Sequence, residues 1–193
     1  NMKSKDGFVD QQPNTGDVPA NKQSLTVIKI GGSTLGNHDT TLMDLVELQK
    51  KGEKFVVIHG GGKTISEWME KQGIRPKFVN GLRVTDSQSL DIVVAVLTGV
   101  INKSIVASIN SLGGRAIGIS GADGNMVSAE IADPELGYVG KIKSVDTAPI
   151  EAILEAGYIP VIAPVGIHSD SDDHSKLLNI NADTVAGYVS SSI

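Results

Sequence analysis

The chain has 193 residues, of which 40% are hydrophobic and 20% are charged. This apolar content suits the core of one domain or one lobe and excludes disorder for most of the chain. The net charge of −5, without a Lys/Arg cluster, predicts no nucleic-acid partner. The absence of cysteine excludes disulfides and thiolate metal sites. We see neither a membrane-spanning apolar run nor a secretory segment, and therefore expect a cytoplasmic protein without membrane contact.

Residues 1–24 lack apolar periodicity and are predicted to form a flexible tail. The remaining chain alternates short apolar runs with segments of helical spacing. In order, we predict strand 25–30, helix 41–51, strand 55–58, helix 63–72, loop 76–85, helix 87–112, strands 116–119, 126–131 and 138–145, helix 150–156, strand 158–163 and a helix starting near 183. This order predicts an α/β fold, a three-layer sandwich with a mainly parallel open sheet. The turn 133–137 predicts a hairpin between strands 126–131 and 138–145.

The predicted helix 87–112 is more apolar than one buried face requires. Its large apolar residues are Ile92, Val93, Val96, Leu97, Val100, Ile101, Ile105 and Ile109. Either the helix lies at an interface between two copies of the chain, or it is a core helix that is covered on both sides.

Two predicted strands end in glycines, at Lys29-Ile30-Gly31-Gly32 and at His59-Gly60-Gly61-Gly62. Glycines at the carboxyl ends of parallel strands let backbone N–H groups approach an anion, and a helix that follows adds its positive dipole end. A tight turn is the alternative for Gly31-Gly32. A P-loop is excluded because its first glycine would fall on Val57, and His59 suits a backbone hydrogen bond better than a metal.

These loops occur together with five further runs. They are Asn80-Gly81-Leu82-Arg83-Val84-Thr85, Gly121-Ala122-Asp123-Gly124, Leu136-Gly137-Tyr138-Val139-Gly140, Tyr158-Ile159-Pro160-Val161-Ile162-Ala163-Pro164 and Asn179-Ile180-Asn181-Ala182-Asp183. In this order and spacing, from about Thr26 to Val189, the chain resembles the amino acid kinase family, and within it the acetylglutamate kinases. The two glycine loops occur across the wider family, whereas the runs at 80–85 and 179–183 are specific to this branch.

The resemblance implies a set of residues at the transferred phosphoryl group. Lys29 would stabilise that group, with Gly32 and Gly61 as nearby backbone donors. Asp183 would orient the catalytic lysines. ATP with Mg²⁺ would be the co-substrate, and no metal site is expected within this chain.

The resemblance also implies a binding site for N-acetyl-L-glutamate. Gly61 and Gly62 would bind the substrate, Arg83 would hold its α-carboxylate, and Asn179 would contact its acetamido group. The planar fork of arginine suits a carboxylate, and an asparagine amide can both donate and accept. As alternatives, Arg83 could be a solvated loop residue, and Asn179 and Asp183 could be helix caps.

The implied reaction is phosphorylation of the γ-carboxylate of N-acetyl-L-glutamate in arginine biosynthesis. An ionised carboxylate needs no general base, so alignment and charge neutralisation suffice. The implied homodimer forms through helix 87–112. Residues 25–193 would form the amino-terminal lobe of the kinase; the lobe that carries the ATP site is expected to be absent, and this chain alone to be inactive.

Two other functions remain open. One is a kinase for carrier-protein-bound aminoadipate in lysine biosynthesis, although the loop 169–175 is acidic rather than basic. The other is a non-catalytic lobe that binds an acyl amino acid or dimerises. Two smaller features are interpreted without a functional role. Asp123-Gly124-Asn125 is expected to be a hairpin turn, and the crowded group Asp170, Asp172, Asp173 and His174 to be a solvated loop rather than a metal site.

Overall fold

A computed structural model describes residues 25–31, 40–169 and 176–193. The predicted tail 1–24, Gly32 and the acidic group at 170–174 lie outside the described residues. The helices are α1 Thr41–Lys50, α2 Gly62–Lys71, α3 Ser87–Val94, α4 Asn102–Ser111, α5 Ala148–Glu155 and α6 Ala182–Ser192. The strands are β1 Thr26–Ile30, β2 Phe55–His59, β3 Phe78–Val79, β4 Leu82–Arg83, β5 Ala116–Ser120, β6 Val127–Ile131, β7 Gly140–Val145, β8 Ile159–Ala163, β9 Val165–His168 and β10 Leu177–Asn179.

The first sheet is parallel throughout, with strand order β1-β2-β8-β5. Its two central strands, β2 and β8, are buried along their whole length. Such strands read as continuous apolar runs because helices cover both faces. All four strands point the same way, so their carboxyl ends meet at one edge. The predicted α/β fold with a parallel sheet is confirmed.

The helices form a layer on each face of this sheet. Val57 of β2 packs into a core with α1 to α4, whereas its neighbours Val56 and Ile58 pack into a second core with α5 and α6. This alternation follows from the two-residue period of a strand. Side chains of one buried strand therefore contribute to both cores, and the sheet is the middle of three layers.

A second sheet, of order β10-β9-β6-β7, contains both parallel and antiparallel pairs. The predicted hairpin of β6 and β7 is confirmed, with Glu130 opposite Lys141. Strands β9 and β10 were not predicted, because four and three residues are too few for a periodic pattern. The turn Asp123-Gly124-Asn125 is a short 3-10 turn between the two sheets, so the hairpin expected there is wrong.

The segment 76–85, predicted as a loop, contains a two-stranded hairpin instead. Strands β3 and β4 pair with Phe78 opposite Arg83. Asn80 and Gly81 join them with φ values of 50° and 81°. Asn-Gly favours a tight hairpin turn because both residues tolerate the left-handed region. This signal was present in the sequence.

The long helix is confirmed, but its middle turns, Ala95–Ile101, are π-helical. Of the eight large apolar residues that suggested an interface, seven are buried within this chain, and Val100 is exposed. The alternative of a core helix thus explains most of them. Within the described residues, Ser87–Ser111 is the one helix long and apolar enough to cross a membrane. By length and composition alone, the expectation that no run qualifies was wrong, but most of the large apolar residues of this helix are buried in the core of the chain.

We predict that Asp86→Ala lowers the free energy of unfolding by about 1 kcal/mol at neutral pH, since Asp86 is the N-cap of α3. Its side chain accepts a hydrogen bond from the Ser89 N–H at 2.8 Å. That bond is the main reason why the pKa of Asp86 lies below its usual range. The contribution is therefore complete above the ordinary Asp pKa of about 3.9 and is lost as pH falls through the lower, folded value.

Urea titrations of both proteins across pH measure this difference. Asp91→Ala is the matched control, because Asp91 lies on the exposed side of the same helix. A difference between parent and Asp86→Ala that persisted below the folded pKa would contradict the capping assignment.

Candidate active site

A cavity of about 270 Å³ opens at the carboxyl edge of the parallel sheet. The ends of β1 and β2, the β3–β4 hairpin and the start of α6 surround it. Six of the seven residues predicted for the site line this cavity: Lys29, Gly61, Gly62, Arg83, Asn179 and Asp183. The seventh, Gly32, lies outside the described residues, although Gly31 lines the cavity. Residues far apart in sequence thus share one small volume.

The glycine turn between β2 and α2 forms the floor of the site. Gly60 donates its N–H to the Ile30 carbonyl at 2.9 Å, which extends the pairing of β1 and β2 by one residue. Gly61 is the N-cap of α2, and a Cβ there would overlap Ile101. The first N–H groups of α2 have no partner within the helix, so they make this end attractive to an anion.

Arg83 is buried, and only 7% of it is exposed. Its Nη2 donates at 2.8 Å both to the Gly62 carbonyl and to Ser66 Oγ. Its guanidinium also lies over the ring of Phe78, 4.7 Å from the centroid. Burial lowers the pKa of Arg83 from its ordinary value. The alternative of a solvated loop residue is wrong.

No carboxylate in the described part of the chain pairs with Arg83. The ion pairs found there involve lysines only. A buried cation is costly unless an anion and hydrogen bonds compensate it. Three neutral acceptors hold this guanidinium in place: the Gly62 carbonyl, Ser66 Oγ and Met69 Sδ, which lies 3.2 Å from Nη1. Its charge remains uncompensated beside a cavity. Such a group is preorganised for an anionic ligand.

Thr85 links Arg83 to Asn179. Asn179 Nδ2 donates to Thr85 Oγ1 at 3.2 Å, and the Thr85 hydroxyl donates to the Arg83 carbonyl at 3.0 Å. Thr85 is fully buried. Sequence reasoning did not single it out, although it closes the run 80–85. Ser66 and Phe78 were missed as well. Ser66 meets Arg83 only because the hairpin packs against α2, and Phe78 lies opposite Arg83 in a hairpin that had been predicted as a loop.

Asn179 ends β10 and is not a helix cap. Asn181 caps α6 instead, with its side chain accepting from the N–H groups of Asp183 and Thr184 at 2.8 and 3.2 Å. The capping alternative was therefore wrong for Asn179 and for Asp183. Both side chains are free of that role.

Lys29 and Asp183 form an ion pair, with Nζ 3.1 Å from Oδ1. The side chains are 37% and 71% exposed, so the pair contributes little to stability. It does connect the end of β1 to the first turn of α6. Both residues line the cavity, so the pair lies at its surface.

His59 forms a hydrogen bond with the backbone, as was expected for it in preference to binding a metal. Its Nδ1 lies 3.0 Å from the Gly60 carbonyl, and its Nε2 lies 3.2 Å from Asn102 Nδ2. Burial lowers the pKa of His59 and favours the neutral ring. Within residues 25–31, 40–169 and 176–193, no cluster of three or more His, Asp or Glu side chains could hold a metal ion.

Residues 24–193 match the Amino acid kinase family. An acetylglutamate kinase from Dehalococcoides mccartyi (strain BAV1) is 42% identical over 179 residues, which are 92% of this chain and 66% of the relative. An acetylglutamate kinase from Caldanaerobacter subterraneus subsp. tengcongensis is 48% identical over 172 residues, 86% of this chain and 56% of the relative. The chain spans less than two thirds of the length of these relatives.

Two solved structures share the fold. The protein smu.665 from Streptococcus mutans UA159 is 30% identical with a TM-score of 0.77, and the match covers 88% of this chain and 68% of that one. N-acetylglutamate synthase from Neisseria gonorrhoeae, complexed with coenzyme A and N-acetyl-glutamate, is 26% identical with a TM-score of 0.70. That match covers 88% of this chain and 39% of the synthase.

Proposed function

Since this chain belongs to the amino acid kinase family, we propose that it forms the N-acetyl-L-glutamate-binding lobe of an acetylglutamate kinase. The enzyme would transfer the γ-phosphoryl group of ATP to the γ-carboxylate of N-acetyl-L-glutamate, a step of arginine biosynthesis. Relatives named acetylglutamate kinase, 42% and 48% identical, support this proposal.

The buried Arg83 guanidinium is the observation that carries the proposal. It lies in the same cavity as Asn179, which ends β10, and its charge has no anion among the described residues. N-acetylglutamate offers a carboxylate for the guanidinium and an acetamido group for the asparagine. A bidentate bond between guanidinium and carboxylate fixes orientation as well as charge.

The chemistry assigned to the site is alignment and charge neutralisation. The substrate carboxylate is already ionised, so it attacks the phosphoryl group without a general base. Lys29 would neutralise charge on the phosphoryl oxygens, and Asp183 would hold its ammonium. Gly61 and Gly32 would supply backbone donors, while Gly61 and Gly62 would also hold the amino acid. ATP would arrive with Mg²⁺ on its phosphates.

We also propose that ATP is bound mainly by a second lobe, with residues 25–193 as the amino-terminal lobe. Kinase assays below therefore use a form of the protein that matches the curated relatives in length. Binding of the acyl amino acid can be tested on the present chain. The residues assigned to that ligand all line one cavity of it: Gly61, Gly62, Arg83 and Asn179. Cytoplasmic location remains part of the proposal.

A homodimer through the long helix is the proposed assembly. The seven buried apolar residues no longer support it, but the outer side of the helix still does. Ala95 and Gly99 are exposed there, and such small residues allow another backbone to approach closely. Beside Ala95, a groove of about 450 Å³ runs past Val94 and Leu177. A second copy of this helix would cover the groove.

We predict that Arg83→Ala raises the dissociation constant for N-acetylglutamate by about one to three orders of magnitude. The reason is the loss of charge-assisted bonds of about 1.5–3 kcal/mol each. Isothermal titration calorimetry on this chain measures the change. Arg83→Lys should recover only part of the loss, because an ammonium cannot form the bidentate fork.

Two controls sharpen this experiment. Arg75→Ala removes an exposed arginine and should leave affinity unchanged. The α-carboxamide of N-acetylglutamate should bind more weakly than N-acetylglutamate to the parent chain but not to Arg83→Ala, since the two changes remove the same interaction. Equal affinity of parent and Arg83→Ala for N-acetylglutamate would refute the assignment.

We predict a different effect for Lys29→Ala, which should lower kcat by about two to three orders of magnitude, as for loss of one electrostatic stabiliser. The Michaelis constant for N-acetylglutamate should change little, because this charge acts mainly as the phosphoryl group transfers. Steady-state assays on the full-length form measure both constants. Lys71→Ala, at the far end of α2, is the control. A raised Michaelis constant with unchanged kcat would show that Lys29 binds substrate instead.

For the assembly, we predict a dimeric mass by light scattering at micromolar concentration. Ala95→Arg should shift the mass to that of a monomer, since a charged, bulky side chain would separate the two helices. Ala152→Arg places the same side chain on the exposed side of α5 and should leave the dimer intact. A monomeric parent chain would contradict the proposed interface.

A further inference from the structure

A buried polar network lies behind the glycine turn and outside the cavity. It links His59 at the end of β2 to Asn102, the first residue of α4, and both are only 1% exposed. Asn102 Nδ2 lies 2.9 Å from the Val161 carbonyl and 3.2 Å from His59 Nε2. Asn102 Oδ1 accepts from Lys103 Nζ at 3.1 Å, and the same ammonium donates to the Gly118 carbonyl at 2.9 Å.

The network determines which nitrogen of His59 carries the proton. A carbonyl oxygen can only accept, so the Asn102 atom that faces Val161 must be its NH₂ group. The same NH₂ group lies 3.4 Å from the Ile119 carbonyl and 3.2 Å from His59 Nε2. An amide NH₂ group cannot accept a hydrogen bond, so a proton on Nε2 would have no acceptor there, and Nε2 is the unprotonated nitrogen. At the other side of the ring, Nδ1 faces the Gly60 carbonyl and must donate. The contacts of both ring nitrogens therefore indicate the neutral tautomer that carries its proton on Nδ1.

This tautomer has a consequence for the next peptide. The C=O of Gly60 and the N–H of Gly61 belong to one planar trans peptide and therefore point in opposite directions. When His59 holds the carbonyl on its own side, the Gly61 N–H must face away from the ring. Among the described residues, none accepts a hydrogen bond from that N–H. Gly60 and Gly61 both line the cavity.

We propose that Asn102 and His59 are positioning residues that aim the Gly61 N–H at the transferred phosphoryl group. The chain of contacts runs from Asn102 through His59 to the Gly60 carbonyl, and neither positioning side chain touches the substrate. The phosphoryl contact itself rests on the proposed kinase function. Burial, which disfavours a charged imidazole, acts in the same direction as the Asn102 bond.

The surrounding structure provides space for this arrangement. A Cβ on Gly118 would overlap Asn102 Oδ1, so glycine at that position lets the amide pack closely against the paired strands β5 and β8. Asn102 also directly follows the π-helical turns, at the point where the helix returns to α-helical spacing. The amide thus lies at the junction between the sheet edge and the long helix.

The tautomer can be measured on this chain without any ligand. We expect ¹⁵N NMR of the imidazole to show a protonated Nδ1 and an unprotonated Nε2 at neutral pH. Asn102→Leu, which removes the NH₂ group, should weaken this preference. A parent ring with its proton on Nε2, or a charged ring, would overturn the proposal whatever the chain catalyses.

Two variants of His59 separate its contacts. An asparagine at this position carries an amide near the place of Nδ1 and can still donate to the Gly60 carbonyl. A glutamine reaches the place of Nε2 and keeps the Asn102 contact only. In the full-length form, His59→Gln should therefore lower kcat by about tenfold to a hundredfold more than His59→Asn, since a lost oxyanion-type donor costs about 10²–10³.

Both variants remove the ring and one hydrogen bond, so their free energies of unfolding should fall by similar amounts. A purely structural histidine would give them the same kcat, and that result would overturn the proposal. A parent enzyme without kinase activity would overturn the proposed function and the phosphoryl contact with it. The NMR measurement would then still decide whether Asn102 and His59 orient the Gly60 carbonyl.

Discussion

The parallel register of β1 and β2 is the constraint on which the site depends. Ile30 lies opposite His59, and the next residue, Gly60, adds one further bond to the Ile30 carbonyl. Because parallel strands end at the same edge, this register places Lys29 beside the glycine turn that starts α2. A shift of this register by one residue would turn every β1 side chain to the opposite face and separate the lysine from the turn.

The fold fixes the orientation of the Arg83 guanidinium before any ligand binds. The short β3–β4 hairpin brings the guanidinium over Phe78, and two neutral oxygens, of Gly62 and Ser66, fix its orientation. Neutral acceptors orient the group but cannot replace a counter-ion. An anion that enters the cavity therefore gains a charge-assisted bond while little side-chain entropy remains to be lost. The cost of keeping the cation buried is met by the folding of the chain, before any ligand arrives.

The sequence predicted the parallel strands and the cavity-lining residues well, because both follow from local patterns. Continuous apolar runs identify β2 and β8 as buried strands, and glycines at strand ends indicate a ligand edge. The resemblance supplied Arg83 and Asn179 by position. Contacts between distant segments could not be predicted in this way. Thr85 and Ser66 are ordinary polar residues whose roles exist only when the hairpin packs against α2 and β10.

The long helix shows why composition alone overestimated the interface. Counting apolar residues on one helix assumes one buried stripe, yet this helix packs against α1, α2 and the sheet, so a wider face is covered. The π-helical turns change which side chains point to the core between Ala95 and Ile101.

Leu97 and Ile101, which lie in these turns, pack close to Gly61. Asn102, the next residue, lies within hydrogen-bonding distance of His59. A helix with regular spacing throughout would rotate the residues after Ala95 by roughly a third of a turn, since each inserted residue adds about 100° at 3.6 residues per turn. The π-helical turns therefore carry the two side chains that pack on the glycine turn, and the residue that directly follows them, Asn102, contacts His59.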